Sequence, residues 1–343
     1  MADALFLAIG MITVQVIAAI LQLLSRVILG QGIFVFALMT YRHVIATLCI
    51  LPFAYFRERE CLKKVNLHVY MWVFLVSFSG VIIAMGFFYY GLRDTTATYA
   101  TNFVNLIPIV TFACSIASGV EKLRLNAKEG KIMLIGTMVC LMGALTSALF
   151  KGKTFYLLNP NSKNLFTATD MKPDWARGTI FLVLSCLGYG SWFMAQAKLS
   201  KIYPYMYSAT LLVCITAAFQ SLVIGLCIDS RKTLWALGWN LQLVTIFYSG
   251  ALATGATFCL LSWAIRKRGP TYPSMFNPLC LTLVAVVELI FFGAGISIGS
   301  LIGMSLITLG LYLFLWGKNM EMRSEYELTM DDEGAKFLSY ERL

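Results

Sequence analysis

Ten apolar segments, each long enough to cross a lipid bilayer, occupy most of this 343-residue sequence. A bilayer core is about 30 Å thick and a helix rises about 1.5 Å per residue, so a membrane-spanning helix needs about 20 mostly apolar residues. Hydrophobic residues make up 59% of the chain and charged residues only 13%, which leaves too few polar side chains to cover a soluble globule. The sequence therefore predicts an all-α integral membrane protein with ten transmembrane helices.

The ten segments are predicted to be helices and not the strands of a membrane barrel. Each is a continuous apolar run, whereas a barrel strand is about ten residues long and alternates apolar with polar side chains. The first segment is too long for the apolar part of a signal peptide, so we expect it to be retained. Predicted spans 1 to 10 cover residues 5–24, 33–56, 69–92, 99–119, 132–150, 178–197, 202–228, 241–265, 270–294 and 296–316.

The second half of the chain repeats landmarks of the first half at a nearly fixed distance. An offset of 173 residues relates Arg93 to Arg266, and an offset of 167 relates Gly136 to Gly303 after a shorter loop. Five is an odd number, so two five-helix copies enter the bilayer in opposite orientations, which is the inverted repeat of many secondary transporters. We predict a first repeat at residues 1–150, a non-cytoplasmic linker at 151–177, a second repeat at 178–317 and a cytoplasmic tail at 318–343.

The basic residues predict the orientation of the chain. Of the 27 Lys and Arg residues, 17 lie in loops or the tail on one side of the membrane and nine lie on the other. Positive charge is enriched on the cytoplasmic side, so both termini are predicted to be cytoplasmic. The net charge of +10 is then a topology signal, and its scattered placement does not favour a nucleic-acid partner. The tail, acidic in its second half, is predicted to be disordered.

Proline interrupts the fourth span and its repeat equivalent, the ninth. Pro108 lies in span 4, and Pro273 and Pro278 lie in span 9. A proline removes a backbone donor and opens the helix, which lipid tolerates only where neighbouring helices or a water-lined cavity satisfy the freed carbonyls. Paired interrupted spans indicate a substrate site near the middle of the membrane, between the two repeats.

Five short motifs, dispersed from the second span to the last, resemble one plant transporter family. They are PFAYFRER (52–59), NLIPIVTF (105–112), LGWNLQL (237–243), KRGPTYPSMFNPL (267–279) and GLYLFLWGK (310–318). In this order they are similar to the plant drug/metabolite exporter family, the walls-are-thin-related, nodulin-21-like branch of the EamA-type drug/metabolite transporters. The resemblance covers residues 5 to about 318.

The resemblance implies ten helices in two inverted EamA repeats that move small organic solutes, with amino acids and auxin as substrates of the branch and with no cofactor. It also implies a plasma or vacuolar membrane and a candidate homodimer through spans 5 and 10. The family usually places a Glu at the end of both the fourth and the ninth span. Here Glu121 occupies the first position, but the offset places Ala294 at the second, and Glu288 is the only acid in span 9.

Arg42 is the most costly polar residue within a predicted span, because a charge at a helix centre costs about 2.5 to 3.5 kcal/mol on insertion scales. Its guanidinium group offers two parallel donors to a carboxylate on a substrate. Alternatively, Arg42 is a structural residue whose donors are satisfied by carbonyls of a neighbouring helix, or one that extends toward the membrane interface. The sequence leaves both roles open.

The other candidate substrate-binding residues are uncharged, apart from Glu288. Glu288 would bind an ammonium group or exchange a proton, or it lies at the solvated mouth of its helix. Amide side chains line a cavity or form hydrogen bonds between helices, and aromatic side chains form a wall for the substrate or pack in the core. The amide and aromatic candidates are Gln15, Asn105, Gln196, Asn277, Tyr89 and Trp192, with Tyr90 and Trp263 as further aromatics.

No motif indicates an enzyme or an ATP-driven pump. The two histidines, His43 and His68, are far apart in sequence and support no histidine metal cluster, and no nucleotide-binding loop occurs. The leading prediction is a secondary transporter of small amphipathic organic solutes that works by alternating access. Its expected partners are the lipid bilayer and a small-molecule substrate. A membrane enzyme acting on lipid-type substrates, and a receptor or structural protein, are the alternatives.

Overall fold

The computed structural model describes residues 2–30, 33–62, 65–94, 103–104, 106–119, 127–150, 154–155, 175–236, 241–277, 279–280, 282–284 and 296–340. Within these ranges, seven helices are long and apolar enough to cross a membrane. Numbered as in the sequence, they are span 1 (Leu5–Gln22), span 2 (Val35–Arg59), span 3 (Leu67–Asp94), span 6 (Ala176–Ile202), span 7 (Met206–Ile228), span 8 (Leu241–Arg268) and span 10 (Leu301–Ser324). The chain is therefore an integral, multi-pass membrane protein.

Three predicted spans are not among these seven helices. Span 5 is the helix Lys128–Leu149, span 4 is described from a turn into the helix Ile107–Ala117, and span 9 begins with the four-residue helix Thr271–Ser274. Other residues of spans 4 and 9 lie outside the described ranges. The total of ten spans therefore stays a prediction.

Several helices extend beyond their apolar parts. The first helix is Ala2–Gly30, the second is Val35–Leu62, the sixth is Trp175–Ile202 and the last is Ile298–Tyr340. The last helix differs from the sequence prediction, which expects a disordered tail from residue 318. Residues 318–340 contain no proline and one glycine, so intrinsic helix propensity favours continuation of the helix. A short helix, Lys232–Trp235, connects spans 7 and 8.

Local sequence explains several helix ends. Asn66 caps span 3, because its side-chain oxygen accepts the backbone N–H of Val69 at 2.9 Å. Span 8 ends at Gly269, whose φ of +82° favours glycine, and Pro270 follows it. Near the end of span 2, Glu58 departs from helical geometry with φ −133° and ψ 26°.

Spans 3 and 8 each contain a π-helical segment. The segment π1 covers Phe78–Gly86 in span 3, between the α-helices Leu67–Ser77 and Phe87–Asp94. The segment π2 covers Ala251–Ala256 in span 8, between Leu241–Gly250 and Thr257–Arg268. The offset of 173 residues relates the first residue of π1 to the first residue of π2. Such turns within α-helices occur frequently at functional sites.

Helix contacts in one half of the chain have counterparts in the other half. The contact between spans 3 and 6 corresponds to the contact between spans 8 and 1. In the same way, the contact between spans 2 and 8 corresponds to the contact between spans 7 and 3. Spans 2 and 7, spans 4 and 9, and spans 5 and 10 also contact each other, and each pair joins a span to its repeat equivalent. The first and largest buried cluster includes Met11, Val73, Phe193 and Leu261, from spans 1, 3, 6 and 8.

Glycines allow spans 5 and 10 to approach closely. A Cβ at Gly136 would lie 2.5 Å from the backbone nitrogen of Phe314, and a Cβ at Gly310 would lie 2.5 Å from that of Cys140. The Cys140 thiol donates to the carbonyl of its own repeat equivalent, Ile307, at 3.4 Å. Small residues at such contacts stabilise helix pairs in lipid. Because these glycine faces pack within the chain, the predicted homodimer contact would need the outer faces of spans 5 and 10.

Contacts between the ends of the described spans lie at two opposite ends of the bundle. At the Asp94 end, the carboxylate of Asp94 forms a bidentate ion pair with Arg177, at 2.7 and 3.0 Å, which joins the end of span 3 to the start of span 6. At the Arg266 end, Glu58 accepts the backbone N–H of Ser208 at 2.7 Å, and Arg266 donates to the carbonyl of the turn between spans 6 and 7 at 2.6 Å. Span 6 runs from one end to the other.

A two-residue antiparallel pair, β1 (Thr154–Phe155) with β2 (Ile296–Ser297), precedes span 10.

The outer surface is apolar and the polar side chains within spans are largely buried. Phe6 is 72% exposed, Phe56 is 82% exposed and Phe219 is 65% exposed, whereas Gln15 and His43 are buried. Exposed aromatic rings of this size are favourable in lipid and costly in water. The buried polar side chains therefore converge on the interior of the helix bundle.

Candidate functional site

Arg42 lies inside the helix bundle and is only 2% exposed. Its Nε and Nη2 atoms donate to the hydroxyl of Thr254 at 2.9 and 2.8 Å. Its Nη1 atom donates to the sulfur of Met85 at 3.1 Å and to the hydroxyl of Tyr89 at 3.4 Å. Met85 belongs to π1 and Thr254 to π2, so the guanidinium group joins the two π-helical segments. Because Thr254 is the fourteenth residue of the 28-residue span 8, these contacts lie near the middle of that span.

The partners of Arg42 decide what this group can do. Among the described residues, the guanidinium group contacts a hydroxyl, a phenol and a thioether, and it forms no ion pair. The alternative, structural role of Arg42 predicts backbone carbonyls as partners, and none of these partners is a backbone carbonyl. A buried charge without a counter-charge carries a large desolvation cost, which an anion placed beside it would offset. The arrangement can therefore bind a carboxylate.

Two tyrosines complete the surroundings of Arg42. Tyr89 is 6% exposed, and its hydroxyl, rather than only its ring, takes part in the contact. Tyr189 of span 6 lies close enough to Tyr89 and Arg42 for electrostatic interaction with both. The structure thus brings together Arg42 and Tyr89, two of the residues that the sequence selects, and adds a third polar group from another span.

The predicted amides form two separate pairs. Gln15 of span 1 donates to the side-chain oxygen of Asn277 in span 9 at 3.5 Å, which brings two predicted residues together. Gln196 of span 6 donates to the hydroxyl of Ser262 in span 8 at 2.6 Å. Gln15 and Gln196 are 3% and 5% exposed, so each pair is buried between helices. Both the cavity-lining and the helix-joining interpretation of these amides remain compatible with this geometry.

Trp192 packs in the core beside the amide pair of span 6. It is 5% exposed, and its ring centroid lies 4.7 Å from that of Phe193 and 5.6 Å from that of Phe258. A Cβ at Gly80 would overlap the Trp192 ring, so this ring occupies the space left by the missing side chain in span 3. Trp192 therefore makes packing contacts in this structure, and its role as a wall for the substrate stays a prediction.

His43, next to Arg42 in sequence, is fully buried. Its Nδ1 atom lies 2.6 Å from the carbonyl oxygen of Met39, one helical turn earlier, and Nε2 has no partner among the described residues. Its ring lies 6.4 Å from that of Phe258. Nδ1 therefore carries the proton, which it donates to the carbonyl, and Nε2 is an acceptor.

Two of the three predicted helix breaks, Pro108 and Pro273, lie in the first turn of a described helix. Pro108 is the second residue of the helix Ile107–Ala117, where its missing N–H costs no helical hydrogen bond. Pro273 lies in the helix Thr271–Ser274, which ends in a turn before span 9 continues. The remaining predicted site residues lie outside the described ranges, namely Asn105, Pro278 and Glu288, together with Glu121 and Ala294.

A cavity of about 200 Å³ opens at the Arg266 end. Its lining combines Glu58 from span 2, Arg266 from span 8 and the turn between spans 6 and 7. Ser262, the partner of Gln196, and Trp263, a further aromatic candidate of the sequence, also line it. The Asp94 end, by contrast, is joined by the ion pair of Asp94 with Arg177.

Sequence reasoning missed four residues at these places. Thr254 and Met85 contact Arg42, yet hydroxyl and thioether side chains are common in spans and give no signal by themselves. Arg266 lies at the end of a span, where it served as a repeat landmark and a topology signal, and Glu58 was not selected because acidic residues at span ends are common. No sequence signal distinguishes Thr254, because the π-helical segments that place it beside Arg42 are visible only in the structure.

Comparisons with known proteins identify the family. The EamA-like transporter family matches the chain twice, at residues 5–149 and 176–316. A WAT1-related protein of Arabidopsis thaliana is 31% identical over 328 residues, which cover 93% of this chain and 91% of that protein. The Arabidopsis thaliana protein called Protein WALLS ARE THIN 1 is 32% identical over 331 residues, which cover 94% of this chain and 85% of its own length. A solved crystal structure with 15% sequence identity has a similar fold, with a TM-score of 0.65 over 92% of this chain and 98% of its own.

These matches extend over both halves of the chain and confirm the resemblance carried by the five motifs. They indicate a transporter rather than an enzyme, in agreement with the polar groups buried among apolar spans. The chain belongs to the plant EamA-type drug/metabolite transporter family, and it is a membrane transporter of small solutes.

Proposed function

We propose that this protein is a secondary transporter that moves small organic carboxylates across a plant membrane by alternating access. Amino acids and auxin, the substrates that the family resemblance implies, both carry a carboxylate. The observation that carries the proposal is the buried guanidinium group of Arg42, held between two π-helical segments and without a counter-charge among the described residues. Such a group is a receptor for an anion at mid-depth of the membrane.

Two inverted five-helix repeats are part of this proposal. Three observations support them: the paired contacts between spans, the matched starts of π1 and π2, and the two separate matches to the family model. In addition, the Cys140 thiol contacts its own repeat equivalent, as expected near a pseudo-two-fold axis. Labelling of loops 2–3 and 8–9 from one side of the membrane tests this arrangement, and labelling from different sides would contradict it.

The two ends of the bundle differ in a way that supports alternating access. The ion pair between Asp94 and Arg177 connects the two repeats at one end, whereas a cavity opens at the other end. A carrier that works by rocking its repeats exposes its site to one side at a time. Under this proposal, the described conformation is the one closed at the Asp94 end.

Counter-flow in proteoliposomes tests the proposed function. Liposomes are loaded with unlabelled solute and exposed to labelled amino acids, indole-3-acetate or a neutral purine. We expect trans-stimulated exchange of carboxylate-bearing solutes, and slower exchange of the purine, because only the carboxylates engage Arg42. An enzyme or a receptor would give no trans-stimulation with any solute, and that result would contradict the proposal.

Weakening the ion pair at the Asp94 end is expected to slow exchange. Asp94→Asn removes the carboxylate charge that holds Arg177, so the conformation closed at this end loses stability. Because the Arg177 side chain is 53% exposed, solvent screens the pair, and we expect at most about a fivefold loss in exchange rate. Counter-flow with the same labelled carboxylate measures the effect.

A double-mutant cycle separates this ion pair from unrelated damage. If Asp94 and Arg177 act through each other, the double variant Asp94→Asn with Arg177→Gln should exchange no more slowly than Asp94→Asn alone. If the double variant instead shows the summed effect of the two single substitutions on the exchange rate, the two side chains act independently.

A further inference from the structure

The cavity at the Arg266 end has the size of a small-molecule site. Its volume of about 200 Å³ exceeds that of several water molecules, each of which takes about 30 Å³ in the liquid. The residues that line it come from spans 2, 6, 7 and 8, and therefore from both halves of the chain. In the proposed function this cavity is only the open end of the bundle, and Arg42 lies elsewhere. Along span 2, Glu58 is 16 residues from Arg42, or about 24 Å at the rise of a helix.

Charges of opposite sign face this cavity without neutralising each other. Glu58 and Arg266 both line it, but they form no ion pair with one another or with any other described residue. Opposite charges that share a small cavity usually approach each other unless the backbone holds them apart. Their separation leaves space for a ligand that carries both charges.

The backbone of the turn before span 7 and of the first turn of span 7 holds the two charges in place. Glu58 Oε2 accepts the N–H of Ser208, and Arg266 Nη1 donates to the carbonyl of Pro204. The non-helical geometry at Glu58 allows its carboxylate to reach the start of span 7, where the helix dipole also favours a negative charge. Within the described part of the chain, Glu58 Oε1 and the Nε and Nη2 atoms of Arg266 have no hydrogen-bond partner. These atoms are the ones a ligand would use.

The space between the charges is aromatic. Tyr203, Tyr205, Tyr207 and Trp263 line the cavity, and the rings of Tyr203 and Tyr205 lie 5.0 Å apart. Aromatic faces bind apolar and aromatic groups and also favour a nearby cation. The lining therefore matches a ligand with an ammonium group, a carboxylate and an apolar side chain.

We propose that the cavity at the Arg266 end is a binding site for a zwitterionic α-amino acid with an apolar or aromatic side chain. Glu58 binds the ammonium group, Arg266 binds the carboxylate, and the tyrosines and Trp263 contact the side chain. This proposal rests on the proposed function, to which it adds a second, peripheral site at the open end of the bundle. The pair of Gln196 with Ser262 lies at the boundary of the cavity toward the interior of the bundle.

Equilibrium binding of labelled L-phenylalanine to the protein in nanodiscs tests the site. The competitors are 3-phenylpropanoate, which lacks the amino group, and 2-phenylethylamine, which lacks the carboxylate. The measurement is made in the Arg42→Gln background, so that the mid-membrane site does not contribute. We expect phenylalanine to bind about tenfold more tightly than either competitor, because only phenylalanine engages both charges.

Single substitutions assign each charge to one end of the ligand. Glu58→Gln keeps an acceptor for Ser208 and should weaken phenylalanine binding about tenfold while leaving 3-phenylpropanoate unaffected. Arg266→Gln should weaken phenylalanine similarly and leave 2-phenylethylamine unaffected. Lys267→Gln, an exposed neighbour that does not line the cavity, is the matched control and should bind as the background does.

The outcome is separate from that of the transport test. If phenylalanine does not bind, or if Glu58→Gln and Arg266→Gln bind it with unchanged affinity, the zwitterion site is overturned. Trans-stimulated exchange of carboxylates by the unmodified protein would still support the proposed function in that case. If the protein binds phenylalanine with the expected charge selectivity but exchanges no solute, the proposed transport is overturned. The cavity would then still be a ligand-binding site.

Discussion

Arg42→Gln is expected to reduce exchange of carboxylate-bearing solutes at least about a hundredfold, while the protein still folds and reaches the membrane. The reason is that a carboxylate moved into a buried site loses its hydration, and only the guanidinium charge replaces it. Removal of one partner of a desolvated charge pair costs about 3 to 5 kcal/mol, which corresponds to a loss in exchange rate of about a hundredfold or more. Glutamine can still donate to the hydroxyl of Thr254, so the contact between spans 2 and 8 is partly kept. Counter-flow in proteoliposomes, normalised to folded protein, measures the effect.

Two further variants separate the functional role of Arg42 from a structural one. Arg42→Lys keeps the charge but loses the planar fork, so partial exchange is expected. Thr254→Val removes an acceptor of Arg42 without changing charge, and it should lower the yield of folded protein more than the exchange rate per folded molecule. If Arg42→Gln exchanges carboxylates at the normal rate, Arg42 is not the anion receptor. If Arg42→Gln does not fold at all, the structural alternative is correct.

Gly310→Ala is expected to destabilise the protein by about 1 to 3 kcal/mol, the usual cost of overpacking a close contact. The new methyl group would lie 2.5 Å from the backbone nitrogen of Cys140 and 2.7 Å from the carbonyl oxygen of Gly136. Backbone atoms cannot move aside as a flexible side chain can, so spans 5 and 10 would have to separate. Thermal unfolding in detergent, followed by size-exclusion chromatography, measures the loss.

Gly10→Ala is the matched control, because its methyl group would meet Leu260 and Trp263 at an ordinary contact distance of 3.8 Å. It should be neutral or slightly stabilising, since alanine favours the helix by about 0.5 to 1 kcal/mol over glycine. Equal unfolding temperatures for the two variants would show that spans 5 and 10 are not tightly packed in the membrane protein.

Much of the fold could be predicted from the sequence because lipid imposes a strong and simple constraint. Long apolar runs must be helices, so seven predicted spans recur in the structure as helices able to cross a membrane. The landmarks Arg93 and Arg266 predicted a repeat, and the contacts between spans are consistent with it. The π-helical segments were not predicted, since one extra residue in a turn leaves no mark on composition. The helical tail was missed because its acidic residues suggest solvation as readily as they suggest a helix.

The site was only partly predictable, because sequence reveals costly groups but not their partners. Arg42 was selected because a charge within a span is rare, and its burial agrees with that reasoning. Its contact with Thr254 depends on how spans 2 and 8 rotate against each other, which hydropathy does not determine. Glu58 and Arg266 were not selected as site residues for a different reason: charges near the ends of spans are common, and only the cavity distinguishes these two.

The π-helical segments have a consequence for the geometry of Tyr89. A turn that holds one surplus residue advances every following side chain by about 100° relative to an uninterrupted α-helix, since 3.6 residues complete a circle. A single helical wheel drawn through the whole of span 3 therefore assigns Tyr89 to the wrong face. Deleting one residue from π1 would turn Tyr89 by about 100° and carry the phenol away from the guanidinium group, whereas the rest of the span would remain apolar and long enough to cross the bilayer.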